Sequence, residues 1–173
     1  MPEVALRRLG ADLEDWDRLA LWFANPAIRE FYYEFGPRAS RVSRVRPRMI
    51  ILYRVKPVGY AQFYPLTQSD VSEYRLSPSI RWGGFDLLIE PECWGQGVGL
   101  AAVQLLLDQL KALKVDRAAI DTACENLRAT RLYQKTGFKM ERVLKHWERG
   151  RDHMVMTRSV GGYTSSIRSH GRP

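Results

Sequence analysis

The feature that most restricts how this chain can fold is a glycine-rich segment, Trp94-Gly95-Gln96-Gly97-Val98-Gly99, set between a predicted strand and a predicted long helix. Glycines let the backbone approach a ligand closely, and the first N–H groups of a helix lack intrahelical partners. Such a helix start binds phosphate or another anion. We therefore interpret the segment as an anion-binding loop. A tight turn that holds no ligand is the alternative.

Two common phosphate-binding motifs fit this segment poorly. Residues 97–102 match the dinucleotide pattern GxGxxA, but they lie in the middle of the chain, after strands that look antiparallel. The dinucleotide motif normally opens a first βαβ unit. No Lys-Ser or Lys-Thr pair follows the glycines, which excludes a P-loop.

Hydrophobic periodicity predicts the elements around the loop. The long helix covers residues 98–113, with Val98, Ala102, Leu105, Leu106, Leu110 and Leu113 facing inward. Before the loop, the chain shows a strand at 4–9, a helix from Asp12 and an aromatic helix at 27–35; the helix from Asp12 has Leu13, Trp16, Leu19, Ala20 and Phe23 on one face. Strands at 49–55 and 58–66, joined by a turn at Lys56-Pro57, are followed by a loop at 67–80 and by a strand at 82–89 that Gly83-Gly84 weakens or bulges. After the long helix come a strand at 115–122, a helix from the Asn126 cap to Thr136 that Gly137 stops, and strands at 138–147 and 153–158. This order, β-α-α-β-β-β-α-β-α-β-β, predicts an α/β (α+β) chain with a mixed sheet.

Length and composition narrow the class of protein. The 173 residues suffice for one domain, which we assign to residues 1–158, with a flexible tail at 159–173. No apolar run is long enough for a transmembrane helix, and the N-terminus has no apolar signal core, so we expect a cytoplasmic protein. Cys93 and Cys124 are too few for a disulfide framework or a zinc cluster. His146, His153 and His170 lack ligand spacing, so we predict no metal.

Charge is unevenly distributed along the chain. There are 27 Lys and Arg against 19 Asp and Glu, a net charge of +8. Five arginines, Arg38, Arg41, Arg44, Arg46 and Arg48, crowd one segment, whereas residues 82–110 contain acids but no Lys or Arg. The arginine segment is a solvated surface, a contact for the 3′-phosphate of a cofactor, or a nucleic-acid contact.

Several motifs together resemble the GNAT acetyltransferase superfamily. Residues 89–99 resemble its acetyl-CoA pyrophosphate loop, with Trp94 where the family has Arg or Gln, and residues 126–138 resemble its second signature. The resemblance implies a mixed, mostly antiparallel sheet of six to seven strands flanked by about four helices, with acetyl-CoA as co-substrate. It implies these cofactor-binding residues: Leu88, Ile89, Trp94, Gly95, Gln96, Gly97, Val98, Gly99, Leu100, Asn126 and Ala129.

Within that superfamily, the chain looks most like bacterial aminoglycoside 6′-N-acetyltransferases. Residues 57–64, Pro-Val-Gly-Tyr-Ala-Gln-Phe-Tyr, and residues 84–89, Gly-Phe-Asp-Leu-Leu-Ile, resemble two strands of those enzymes. The aromatic residues of 22–33 fall where the enzymes line the substrate cleft. The resemblance implies acceptor contacts by Trp22, Tyr32, Tyr64, Asp86 and Asp121.

Acetyl transfer to an amine needs a group that accepts a proton from the amine and a group that protonates the leaving thiolate. By resemblance and charge, Asp86 and Asp121 grip and deprotonate a cationic acceptor, and Tyr133 occupies the family's general-acid position. A surface or capping role for either acid, and a packing role for Tyr133, are the alternatives.

The predicted partner is a small-molecule amine, bound by a monomer or a homodimer. Acetylation of a protein amine or of a siderophore precursor, and a non-catalytic basic module that binds RNA, are the other functions left open.

Overall fold

The computed structural model describes residues 3–10, 13–32 and 47–161. It contains seven strands, namely β1 (Val4–Arg8), β2 (Arg48–Tyr53), β3 (Lys56–Pro65), β4 (Trp82–Ile89), β5 (Arg117–Ala123), β6 (Lys139–Glu148) and β7 (Arg151–Ser159). Within these ranges the helices are α1 (Leu13–Ala24), α2 (Pro26–Arg29), α3 (Gln68–Glu73), α4 (Val98–Ala112) and α5 (Leu127–Lys135), with a 3₁₀ turn at Pro91–Cys93.

The strands form one sheet in the order β1-β2-β3-β4-β5-β7-β6. All neighbouring pairs are antiparallel except β4 and β5, which are parallel. This confirms the predicted mixed, mostly antiparallel sheet. The parallel pair joins only at Trp82 opposite Arg117 and Gly83 opposite Ala118. Beyond these two positions β4 and β5 separate, which opens the sheet at its centre.

Helix α4 packs on the sheet and carries much of the core. Leu106 and Leu110 are fully buried, together with Val98, Ala102 and Val103. The predicted inward face of this helix is thus largely confirmed. Leu113 is an exception, because it follows the last residue of the helix and is 41% exposed.

The buried face of α1 differs from the prediction. Leu13 and Trp16 are exposed, whereas Asp15 is buried beside Leu19 and Trp22. Asp15 tolerates burial because Arg7 of β1 donates two hydrogen bonds to its carboxylate, both 2.8 Å long. A buried acid with such a partner cannot be recognised from hydrophobic spacing alone.

Residues 67–80 were predicted to be a loop, and this is wrong because α3 lies within them. The Thr67 side chain accepts the backbone N–H of Asp70, and the Asp70 side chain accepts that of Thr67. This reciprocal capping box stabilises a helix of only six residues. Its sequence signal, Thr-x-x-Asp, was present in the chain.

Two predicted boundaries and one predicted bulge also need correction. The β2–β3 turn lies at Arg54-Val55, both with positive φ, rather than at Lys56-Pro57. Helix α2 ends at Arg29, where Arg151 of β7 donates a hydrogen bond to the Glu30 carbonyl. Gly83-Gly84 does not bulge β4, since the β3–β4 register runs unbroken. The aromatic helix beyond residue 32, the arginine segment up to Arg46, His170 and most of the predicted tail lie outside the described residues.

At Gly59, β3 lies so near β4 that no side chain fits between them. A Cβ at this position would collide with the carbonyl oxygen of Leu88 and would lie 3.1 Å from Cα of Ile89. Both obstacles are backbone atoms, so only a shift of β4 could make room. The sheet can therefore hold Leu88 and Ile89 at this distance only with glycine at position 59.

We expect Gly59→Ala to lower the free energy of unfolding by about 1–3 kcal/mol, the usual cost of overpacking a buried position. Urea denaturation measures the change. Gly161→Ala is the matched control, because a Cβ there meets no atom within 4 Å. Equal stabilities for the two variants would contradict the close approach.

Candidate active site

A cleft of about 740 Å³ opens where β4 and β5 separate. Its walls come from β4, the glycine loop, the starts of α4 and α5, the end of β5, and residues of α2, β6 and β7. Separation leaves the β5-facing backbone of β4 without ladder partners beyond Gly83. Unpaired strand groups of this kind can hydrogen-bond an extended ligand.

The glycine loop lies at one end of the cleft. Gly95 and Gly97 have φ of 77° and 80°, which favour glycine, and a Cβ on Gly95 would meet no atom within 4 Å. Gly97 is the N-cap of α4, and within the described part of the chain no side chain caps the start of this 15-residue helix. The loop thus has the open backbone that a phosphate group requires.

Trp94 joins the glycine loop to α5. Its indole N–H donates a hydrogen bond to the Ile89 carbonyl, 2.8 Å away, and the Arg128 guanidinium lies 3.3 Å from the centre of its ring. Arg131 and Lys135 follow Arg128 on α5 and line the same cleft. These three cations can attract an anionic ligand at the glycine-loop end.

Tyr133 lies deep in the cleft wall. It is 7% exposed and packs against the rings of Phe85 and Phe138. Burial raises its pKa above the ordinary range, and the charges of Asp86 and Asp121 raise it further. The Tyr133 hydroxyl therefore stays protonated and can act as a proton donor.

Asp86 lies on β4 and receives two hydrogen bonds from β3. Gln62, which is 1% exposed, donates from Nε2 over 2.5 Å, and the Tyr64 hydroxyl donates over 3.2 Å. Gln62 lies directly opposite Asp86 in the strand register. The carboxylate is thus held in one orientation at the cleft surface.

Asp121 lies on β5 within a second polar network. The Tyr74 hydroxyl donates to Oδ1, and Oδ2 lies 2.6 Å from Nδ1 of His153 on β7. Burial is the largest cause that raises the Tyr74 pKa, and the Asp121 charge adds to it, so this hydroxyl remains a donor. Glu148, at the end of β6, lies 3.8 Å from Nε2 of the same imidazole.

Most of the predicted site residues meet in this cleft. The residues that line it are Tyr32, Asp86, Leu88, Ile89, Trp94, Gly95, Gly97, Gly99, Leu100, Asp121, Asn126, Ala129 and Tyr133. Asn126 also caps α5 by accepting the Ala129 N–H over 3.1 Å.

Four predicted site residues lie outside the cleft lining. Val98 is fully buried in the core, and the Gln96 side chain donates to the Glu92 carbonyl. Trp22 is buried behind β4, where its indole N–H donates to Glu90 over 3.2 Å. Tyr64 is connected to the site by its hydrogen bond to Asp86.

The sequence reasoning missed His153, Glu148 and Tyr74. His153 was considered only as a metal ligand, and its contact with Asp121 depends on the β5–β7 register. Glu148 follows a register shift in the β6–β7 hairpin, and no pattern in the sequence predicts that shift. The capping-box pattern predicts α3, but it does not predict the contact made by Tyr74, the residue that follows this helix.

Two kinds of feature are absent from the described residues. Among residues 3–10, 13–32 and 47–161, no group of His, Cys, Asp and Glu could hold a metal ion. In the same ranges, no helix is both long and apolar enough to span a membrane.

Comparison with known proteins identifies the family to which this fold belongs. A sequence model of the Acetyltransferase (GNAT) family matches residues 12–138. Aminoglycoside N(6′)-acetyltransferase type 1 of Serratia marcescens is 30% identical over 141 residues, which cover 79% of this chain and 69% of that protein. The enzyme of the same name from Klebsiella pneumoniae is 29% identical over 148 residues, covering 83% and 72%.

A solved structure with the same fold is that of aminoglycoside acetyltransferase AAC(6′)-Ib with coenzyme A and kanamycin. Its TM-score is 0.70, and its sequence is 21% identical over 91% of this chain and 95% of that chain. Spermidine N-acetyltransferase from Vibrio cholerae, with CoA and spermine, has a TM-score of 0.71 and 19% identity over the same shares. The chain belongs to the GNAT family and is an acetyl-CoA-dependent N-acetyltransferase.

The raised pKa values predict how the tyrosines titrate. A tyrosine whose pKa is higher in the folded protein keeps its proton at a pH at which the unfolded chain loses it. The stability that it contributes is therefore present below about pH 10, the pKa of tyrosine in the unfolded chain, and is lost as the pH rises further. We expect Tyr133→Phe and Tyr74→Phe to leave the phenolate absorbance of the folded protein unchanged up to about pH 11.

The same protein unfolded in urea is the control. Each substitution should there remove one eighth of the total phenolate signal, because the chain has eight tyrosines. Loss of signal from the folded variants below pH 11 would show that these hydroxyls ionise readily.

Proposed function

We propose that the protein acetylates an amine of an aminoglycoside, as a 6′-N-acetyltransferase does. The observation that carries the proposal is the pair of fixed carboxylates, Asp86 and Asp121, that line one cleft with the buried donor Tyr133. The similarity to the Klebsiella and Serratia relatives, both named aminoglycoside N(6′)-acetyltransferases, supports it. A cleft with localised acids can bind a polycation despite the positive net charge, because salt screens charges beyond about 8 Å.

The glycine-loop end of the cleft would hold acetyl-CoA. The loop amides and the start of α4 would bind the pyrophosphate, and Arg128, with Arg131 and Lys135, would add positive charge near the phosphates. The unpaired backbone of β4 at Leu88 and Ile89 would bind the pantetheine arm and polarise the thioester carbonyl. Acetyl-CoA supplies the activated acetyl group. We place the enzyme in the cytoplasm, together with this co-substrate.

The acid end would bind and activate the acceptor. Asp86 or Asp121 takes a proton from the ammonium group, directly or through water, and the neutral amine attacks the thioester carbonyl. The C–N bond forms as the C–S bond breaks, and Tyr133 gives its proton to the departing thiolate. The second proton that the attacking nitrogen loses as it becomes an amide restores the Tyr133 hydroxyl. Tyr133 holds its proton at neutral pH, as any tyrosine does, and its raised pKa requires that the proton move together with cleavage of the C–S bond, as negative charge develops on the sulfur.

A linear polyamine is the second candidate acceptor. The acidic residues of the cleft extend across β4, β5 and the β6–β7 hairpin, an arrangement that could also bind an extended chain of amines. The fold shared with the Vibrio spermidine enzyme is compatible with this choice.

Free thiol release from acetyl-CoA tests the proposed function. We expect turnover with kanamycin to exceed turnover with spermidine and with short peptides.

Asp86→Asn should lower kcat/KM for kanamycin by about 10- to 100-fold, since it removes a charge-assisted hydrogen bond to the acceptor, and should leave cofactor binding unchanged. Asp108→Asn, on the exposed face of α4, is the control. A peptide preferred over kanamycin would disprove the aminoglycoside assignment.

Tyr133→Phe tests the proposed general acid. We expect kcat to fall about 10- to 1000-fold, the range for loss of one general acid, while the dissociation constant of acetyl-CoA stays the same. Stopped-flow thiol release and equilibrium titration measure the two quantities. Wild-type kcat in the variant would remove Tyr133 from the mechanism and leave it a packing role.

A further inference from the structure

Arg128 and Trp94 form the closest arginine–aromatic pair within the described residues. The Arg128 guanidinium lies over the Trp94 ring, 3.3 Å from the ring centre. The other arginine–aromatic pairs in these ranges are 5.2–5.6 Å apart. A separation of 3.3 Å is that of two flat groups in van der Waals contact, so the guanidinium rests on the face of the indole.

Trp94 offers this guanidinium a fixed surface. Its indole N–H donates to the Ile89 carbonyl over 2.8 Å, and its half-buried ring packs against the hydrophobic core. One edge of the ring is thus tied to the end of β4. An arginine side chain that stacks on such a ring loses much of its conformational freedom before any ligand binds.

The helix that carries Arg128 gives no reason for a cation at this position. Arg128 is the second residue after the Asn126 cap, where the positive end of the helix dipole disfavours positive charge. Arg131 and Lys135 lie three and seven residues further on, so the three cations share one side of α5 and repel one another. None of them belongs to an ion pair within the described residues. An anion bound beside them would offset this charge.

The glycine-loop end of the cleft obtains its positive charge from α5. The loop itself, residues 94–99, contains no Lys or Arg, and neither does the rest of the stretch from 82 to 110. Every Lys and Arg among the described residues that line the cleft lies on α5. Arg128 is joined to the loop directly, by its stack on Trp94.

Stacking leaves the hydrogen-bond donors of the guanidinium available. The five N–H groups of an arginine lie in the guanidinium plane, whereas the indole covers only a face of that plane. Two of these donors can bind two oxygens of one phosphate group. Trp94 directly precedes Gly95, whose backbone is open to the cleft, so the donors lie beside the place where the loop amides would bind an anion.

We propose that Trp94 is a positioning residue, which holds the Arg128 guanidinium in place to bind the pyrophosphate of acetyl-CoA. The inference rests on the proposed function only insofar as the glycine loop binds acetyl-CoA, and it does not depend on the acceptor. Arg128 supplies the charge and the hydrogen bonds, and Trp94 acts through it by ordering the side chain in advance. The pyrophosphate, rather than the 3′-phosphate, is assigned because Trp94 adjoins the loop.

Calorimetric titration with coenzyme A, without any acceptor, measures the coupling of the two residues. We expect Arg128→Gln to raise the dissociation constant about 10- to 100-fold, as for loss of a hydrogen bond between charged groups. Trp94→Leu should raise it about 3- to 10-fold, the effect of one cation–π contact. In the Arg128→Gln background, Trp94→Leu should change it less than about twofold. Equal effects of Trp94→Leu in both backgrounds would overturn the positioning role.

Two further variants separate stacking from folding. Trp94→Phe keeps an aromatic face but loses the N–H that binds the Ile89 carbonyl, so it should weaken binding less than Trp94→Leu does. Equal losses in the two variants would assign the effect to the hydrogen bond and overturn the stacking role. Lys111→Gln is the control, because it removes an exposed cation of α4 outside the cleft lining and should bind coenzyme A as the wild type does.

A second ligand and a change of salt identify the phosphate and the charge. Dephospho-coenzyme A keeps the pyrophosphate and lacks the 3′-phosphate, so Arg128→Gln should weaken its binding by the same factor as that of coenzyme A. A factor near one would place Arg128 at the 3′-phosphate and overturn the assignment. Raising the ionic strength from about 0.05 M to about 0.5 M should weaken binding by the wild type more than by Arg128→Gln or Trp94→Leu, because salt screens the ion pair. An unchanged salt dependence in both variants would leave Trp94 a structural role alone.

Binding without an acceptor distinguishes failure of this inference from failure of the proposed function. Equal effects of Trp94→Leu in both backgrounds, together with turnover of kanamycin, would overturn the positioning role and leave the aminoglycoside assignment intact. Coupled effects without turnover of any aminoglycoside would support the positioning role and overturn that assignment. A wild-type protein that does not bind coenzyme A would overturn both the cofactor site and the positioning role.

Discussion

The site depends on the early separation of two parallel strands. β4 and β5 pair at two positions only, so the remaining length of β4 is bound on one side by β3 and open on the other. Helices α4 and α5 begin beside this opening, which brings a glycine loop and a polar helix start to the same cleft. Had the ladder continued, its hydrogen bonds would have consumed the backbone groups that a cofactor arm needs.

Tight packing keeps the strands around this opening in place. Gly59 allows β3 to lie against Leu88 and Ile89, and Gly83 lies so near α4 that an added Cβ would be 2.8 Å from Leu110. Gly99 similarly brings α4 close to Leu132 of α5. Several glycines of the signature regions therefore act by packing as well as by exposing backbone, and the geometry of the cleft depends on both.

The charges of the cleft are separated along its length. Arg128 and its neighbours on α5 make the glycine-loop end positive, whereas Asp86, Asp121 and Glu148 make the far end acidic. Tyr133 lies between these ends, in an apolar wall that keeps its hydroxyl protonated. An anionic co-substrate and a cationic acceptor can thus enter one cleft and meet at one donor, even though the chain as a whole is basic.

The sequence alone was sufficient for the succession of the strands along the chain, for the long helix and for the glycine loop, because each depends on local spacing or on a contiguous motif. It was insufficient for the burial of Asp15, for Trp22 and Tyr64 acting behind the cleft wall, and for His153 beside Asp121. Those features arise from contacts between strands or helices far apart in the chain, and for the strand residues a shift of one position in register would move the side chain to the other face. Local chemistry determined which groups the protein could use, and only the tertiary structure decided which of them meet, because the register of the sheet sets their distances.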